Sequence, residues 1–110
     1  MTEPTVGEQR FWKLAEPLLQ QPGVSRSTMM GLPCLRVDGA FFASCDQRTG
    51  DLLVKLPEAR VDALVATGRA HPFAPAGRRF RQWAAVPPQR GSRTWRSLLD
   101  DARAFVAGAP

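Results

Sequence analysis

Residues 32–45 read "LPCLRVDGAFFASC", and the reading of this stretch decides the fold. Asp38-Gly39 at its centre is a two-residue hairpin signal, because a type I′ turn needs positive φ at both central positions. The flanking runs, Leu32–Val37 and Ala40–Cys45, have strand length and are almost entirely apolar. A two-residue turn fixes the register, with Val37 opposite Ala40, Arg36 opposite Phe41, Leu35 opposite Phe42 and Cys34 opposite Ala43. Alternation then gives two faces. Leu35, Val37, Ala40 and Phe42 form one, free of charge, that is expected to meet helices. Cys34, Arg36, Phe41, Ala43 and Cys45 form the other. Arg36, a cation inside an oily hairpin, thus marks the side of the sheet turned to solvent.

Outward from the hairpin, the order of elements reads αβββαββα. Thr5 and Glu8 make a T-x-x-E capping pattern before a helical run carrying Phe11, Ala15, Leu18 and Leu19, which Pro17 interrupts. "QPGVSRST" (21–28) reads as a connector. After the hairpin, "DQRTG" (46–50) is a looser turn, and "DLLVKL" (51–56) is a third strand with Leu52, Val54 and Leu56 on the core side and Leu53 and Lys55 on the other. Pro57 is expected at the first position of a helix striped by Val61, Leu64 and Val65 and closed by Gly68. "HPFAPAGRRFRQWAAVP" (71–87) reads as a second hairpin turning at Pro75-Ala76-Gly77. Its better strand is 80–86, with Arg81, Trp83 and Ala85 sharing a side. Ser92 or Thr94 caps a last helix whose Trp95, Leu98, Leu99, Ala102 and Phe105 make a clean amphipathic face. The expectation is a single α+β domain over 1–110, with a five-stranded, largely antiparallel sheet, helices packed on one face, and loose termini at 1–6 and 108–110.

Composition narrows the function. A chain of 110 residues that is 44% apolar can build a core without a metal or disulfide staple. The formal net charge is +5, with 13 arginines against 2 lysines. That surplus favours an anionic partner, through Coulomb attraction and counterion release. An arginine bias can equally reflect genome composition. No apolar run approaches the ~20 residues of a membrane span. The polar start, "MTEPTVGEQR", is unlike a signal peptide, and two cysteines without spacing logic suit a reducing cytoplasm.

The mixed face of the sheet is the candidate surface. Arg36, Lys55 and Arg81 share it with Phe41 and Trp83, while "GRRFR" (77–81), with Arg78 and Arg79, is the densest basic cluster. Rings and cations on a sheet can stack bases and pair phosphates. The same pattern also describes an ordinary antiparallel surface on which an arginine lies over a cross-strand phenylalanine. Catalytic and metal chemistry find no footing. His71 is the only histidine, no C-x-x-C, H-x-x-x-H or phosphate-cradling glycine loop occurs, and adjacent Asp100 and Asp101 on a helix point in different directions. Cys34 and Cys45 would be diagonal neighbours on one face, about 7 Å apart and too far for a relaxed disulfide. No cofactor and no metal are expected. The expected partner is an unknown protein or a second copy, with nucleic acid as the alternative and no membrane.

Three longer stretches carry a family likeness: "TMMGLPCLRVDGAFFAS" (28–44), "DLLVKLPEARVDALVATGRAHPFAPAGRRFRQWAAVP" (51–87) and "WRSLLDDARAFV" (95–106). In them, M-x-G before the first strand, the V-D-G-x-F-F-A hairpin, V-K-L-P leading into a helix, G-x-x-x-P-F-x-P and W-x-x-V-P resemble the N-terminal domain of the TfoX/Sxy competence regulators, and the YjbR/MmcQ-like proteins are similar. The likeness spans about residues 8–107 and is diffuse. It implies an α+β domain with strands in one layer and helices in the other. It also implies a non-catalytic regulatory or adaptor role working through protein contacts, in the sphere of transcriptional regulation and DNA uptake. That label belongs to regulators with a second, C-terminal helical domain. The likeness brings no established functional residues with it.

Overall fold

The computed structural model describes residues 5–29 and 31–108. Along the chain, α1 (Val6–Leu19) leads into β1 (Val24–Met29), β2 (Leu32–Val37), β3 (Ala40–Cys45) and β4 (Leu52–Lys55). Then come α2 (Glu58–Ala66), β5 (His71–Pro72), β6 (Trp83–Val86) and α3 (Ser92–Gly108), with short 3₁₀ turns at Pro75–Gly77 and Pro88–Arg90. The sheet has six strands in the order β1-β2-β3-β4-β6-β5, and every neighbouring pair is antiparallel. The α+β class and the helix layer are as expected; the strand number is six rather than five.

The additional strand is β1, which the sequence presented as a connector. Its residues Val24, Ser25, Arg26, Ser27 and Thr28 show no apolar alternation, because an edge strand buries little on either side. It pairs with β2 along its whole length, Ser27 against Cys34 and Ser25 against Arg36. On the helix side, the Arg26 guanidinium lies 4.1 Å from the Trp12 ring centroid.

The central hairpin forms around Asp38 (φ 51) and Gly39 (φ 83), both positive as a type I′ turn requires. Next to the turn the register is as read, with Val37 opposite Ala40 and Arg36 opposite Phe41. Beyond it the register slips. Leu35 faces Ala43 and Cys34 faces Ser44, so Phe42 is the extra residue of a β-bulge. The bulge reverses the parity of the rest of β3. Phe42, Ala43 and Cys45 all join the helix-side core, whereas Ser44 faces the other way. Ala43 and Cys45 therefore leave the face assigned to them by simple alternation.

One core fills the space between sheet and helices. Phe11, Leu14, Ala15 and Leu18 of α1, Val61 of α2 and Trp95, Leu98, Leu99 and Ala102 of α3 pack on Leu35, Val37, Phe42, Leu52, Val54 and Val86. The helix ends follow local rules with some changes of detail. The Glu8 amide donates to Thr5 Oγ1 at 3.0 Å, but the Glu8 carboxylate accepts from Gln47 Nε2 at 3.1 Å, so the reciprocal half of the capping box goes to the β3–β4 turn. Helix α1 runs through Pro17, which sits in its last turn and forgoes a single backbone bond. Pro57 is the residue before α2 rather than its first. At the other end of α2, Gly68 (φ 74) closes a Schellman arrangement, its own amide bonding Val65 O at 3.1 Å and that of Arg69 bonding Leu64 O at 2.9 Å. Neither Ser92 nor Thr94 caps α3. The Trp95 amide bonds the carbonyl of Gly91, whose φ of 90° a serine would resist. Of the expected loose termini, 1–4 and 109–110 lie outside the described residues, as does Met30 of the M-x-G pattern, while Thr5 caps α1 and Gly108 ends α3.

Candidate functional site

The face of the sheet turned away from the helices is built around one cross-strand row. Pairing places Ser27, Cys34, Ser44, Leu53, Ala85 and His71 side by side from one edge to the other. No member of this row belongs to the helix-side core, yet Cys34 and Ser44 are 0% exposed, Leu53 1% and Ala85 7%. Ser44, the buried polar residue of the row, donates its hydroxyl to the Pro33 carbonyl at 2.7 Å, which satisfies it.

Larger side chains stand beside the row. The Arg36 guanidinium lies over the Phe41 ring, 4.3 Å from its centroid, within cation–π range. Arg36 is half-buried, has no carboxylate partner among the described residues, and its buried Nε has no hydrogen-bond acceptor. Lys55 sits opposite Trp83 in the β4–β6 pair. Trp83 touches Phe73 (6.5 Å between centroids), Phe73 touches Phe80 (5.7 Å), and Arg78 stacks on Phe80 at 5.5 Å. The structure thus gathers Arg36 with Phe41, and Lys55 with Trp83. It joins Arg78 to that group through Phe80 and Phe73, two rings that sequence alternation left out. They are recruited because 73–82 is not strand. Its course is held by Phe80 N to Phe73 O at 2.9 Å and Trp83 N to Phe80 O at 3.0 Å.

Arg79 and Arg81 behave differently. The first forms an ion pair with Asp62 of α2 (3.1 Å), and the second approaches Glu58 of α2 (3.8 Å). Strand β6 begins at Trp83 rather than at Phe80, so Arg81 is released from the alternation that had put it beside Trp83. Two of the three arginines in the 77–81 cluster are therefore occupied by α2 carboxylates.

The cysteines are free and buried, and the bulge separates them. Cys34 lies in the row and Cys45 in the helix-side core, so they are not diagonal neighbours on one face. Burial pushes the Cys45 thiol from 9.0 up to about 12, and the charges of Glu8, Asp46 and Asp51 add to the rise. Burial also raises Cys34, against the lowering effects of a Ser27 hydrogen bond and the Arg36 charge. A thiol that stays protonated in the fold but ionises in the unfolded chain supports the fold fully below pH 9.0, and that support is lost as pH climbs to about 12. The urea midpoint is expected to fall across this window, in a chain that has no tyrosine to confuse it, and Cys45→Ala is expected to flatten the fall. An unchanged slope in Cys45→Ala would contradict the buried position.

Beside the row, a cleft of about 530 Å³ is floored by Leu53 and Ala85 and flanked by His71, Phe73, Leu32 and the 46–48 turn. It contains the only histidine of the chain but neither cysteine. A His–Cys pairing, the arrangement that would give nucleophilic chemistry, is therefore not assembled there. Among the described residues no group of three or more His, Cys, Asp or Glu is placed to hold a metal ion, and no helix is long and apolar enough to cross a membrane.

Compared with protein-family models, curated proteins and solved structures, the chain finds no match.

Proposed function

We propose that the protein is a non-catalytic binding module, of the regulatory or adaptor kind that the TfoX-type resemblance implies, and that the helix-free sheet face is its contact surface. The observation that carries this reading is the pair of ring–guanidinium stacks, Arg36 on Phe41 and Arg78 on Phe80, neither with a carboxylate partner among the described residues. Cations left unneutralised beside rings favour an anionic, stackable ligand, and single-stranded nucleic acid has both properties. An apolar docking patch has less support, since Val6 is the one large hydrophobic side chain exposed among the described residues.

The test is fluorescence anisotropy with a labelled single-stranded oligonucleotide over a range of salt. Binding is expected to weaken steeply as salt rises, and Arg36→Ala is expected to reduce the slope of log K against log salt by about 1. Arg79→Ala serves as the comparison, because Asp62 already neutralises that guanidinium and the slope should change less. Absence of binding at low salt, or binding indifferent to salt, would remove the nucleic-acid reading.

A second reading, a protein partner, is favoured by one observation. Strand β1 is paired with β2 on one side only, which leaves its outer row of backbone donors and acceptors available to an added strand.

A further inference from the structure

On the opposite side of the molecule, α2 and α3 enclose a second cleft, of about 270 Å³. Arg60, Arg69 and Arg93 line it together with Thr94, Ser97, Leu64 and the buried Leu98. No carboxylate lines it. Asp101 neutralises Arg60 from outside the lining, at 2.9 Å, whereas Arg69 and Arg93 have no carboxylate partner among the described residues. Two exposed guanidiniums without a carboxylate partner thus line one small space, a setting that favours an anion.

Two further features raise the positive potential there. Arg93 stands in the first turn of the 17-residue helix α3, which carries no acidic residue in that turn. A cation at a helix N-terminus opposes the macrodipole, so this placement gains nothing for the helix itself. The amides of the first turn also lack intrahelical acceptors. Arg69, for its part, leaves a rigid point, since its backbone amide is held by the Leu64 carbonyl in the Schellman turn at 2.9 Å.

The donors fit one chemistry. Guanidinium forks and hydroxyls match the oxygens of a phosphoryl group, with hydrogen bonds strengthened by charge. The volume sits at the lower edge of the range for small-molecule sites, room enough for a phosphoryl group on a small carrier. From this we infer that the α2–α3 cleft binds a small phosphate monoester, its phosphoryl group held by Arg69 and Arg93 with Thr94 and Ser97. The site is separate from the sheet face and does not depend on the reading proposed for it.

The experiment is a titration of the full chain with methyl phosphate at constant ionic strength, followed by ¹⁵N–¹H correlation spectra of the arginine Nε–H groups and the backbone amides. Saturable shifts are expected at Arg69, Arg93 and the amides of 92–94. Arg93→Gln is expected to weaken binding about tenfold, the loss of one charge-assisted hydrogen bond. Arg48→Gln, on the sheet-face cleft, should leave it unchanged. Arg93 is exposed, and the same spectra report that the variant is folded. Shifts that do not saturate, that chloride reproduces, or that Arg48→Gln weakens as much as Arg93→Gln would overturn the site. Saturation by inorganic phosphate but not by methyl phosphate would overturn the assignment to an ester.

Discussion

Replacing Gly7 by alanine is expected to cost about 3 kcal/mol or more, the upper range for overpacking against atoms that cannot move aside. Gly7 sits in the first turn of α1, where the helix crosses the β3–β4 turn backbone against backbone. A Cβ at Gly7 would collide with the carbonyl oxygen of Gly50 and stand 2.7 Å from its Cα. Neither is the tip of a flexible side chain. Gly50 has φ 78, so the turn is itself committed to a shape that few residues adopt. Relief therefore requires lifting α1 away from the sheet, and with it Phe11, Ala15 and Leu18, which are buried under it. A domain of this size is stable by only about 5–15 kcal/mol, so the loss should be plain as a lowered urea midpoint. Gly108→Ala, at the end of α3 with open space around it, is the control and should be neutral or slightly stabilising. Equal midpoints for the two variants would show that the close approach of α1 to the turn is absent.

The second large effect is expected at Trp95. Its side chain is fully buried, its indole N–H donates to the Pro87 carbonyl at 3.1 Å, and the Arg10 guanidinium lies 5.2 Å above the ring while bonding the Pro88 carbonyl at 2.6 Å. The residue thus ties α3, α1 and the 87–88 segment together. Trp95→Ala is expected to cost about 3–5 kcal/mol, the range for emptying a large aromatic site. Trp95→Phe should cost much less, because it keeps most of the volume and loses the single hydrogen bond. If both variants unfold at the same urea concentration, the indole hydrogen bond dominates rather than the packing.

The parts of the fold that the sequence made legible are those where one local rule acts alone. Asp38-Gly39 admits one kind of turn, and the stripe from Trp95 to Ala102 admits one face. Strand β1 was hidden for a physical reason: an edge strand with polar residues on both sides has no period to detect. The bulge at Phe42 was hidden for another. In "AFFASC" nearly every residue tolerates burial, so nothing in the chemistry reports on which side each falls. That slip sent Ala43 and Cys45 to the core and left Ser44 opposite Cys34. For the candidate surface, the Arg36–Phe41 contact was readable because it lies between the turn and the bulge, where the register is still set by Asp38-Gly39. The occupation of Arg79 and Arg81 was not readable, because their carboxylates come from α2 and the docking of that helix is a tertiary fact. Phe73 and Phe80 escaped notice because the segment between them is irregular, and irregular backbone sets no alternation.

The arginine in the middle of β1 has a bearing on colloidal behaviour. If two copies approached border to border in antiparallel fashion with their helix layers on the same side, the registers that pair five of the six residues would bring each Arg26 opposite its counterpart or diagonal to it, and like charges so placed repel. The margin of the sheet therefore discriminates between visitors: a foreign segment bearing an acidic side chain meets attraction, while an identical chain meets repulsion. Such a gatekeeper lets the protein keep an unpaired border without drifting into ordered self-stacking at high concentration.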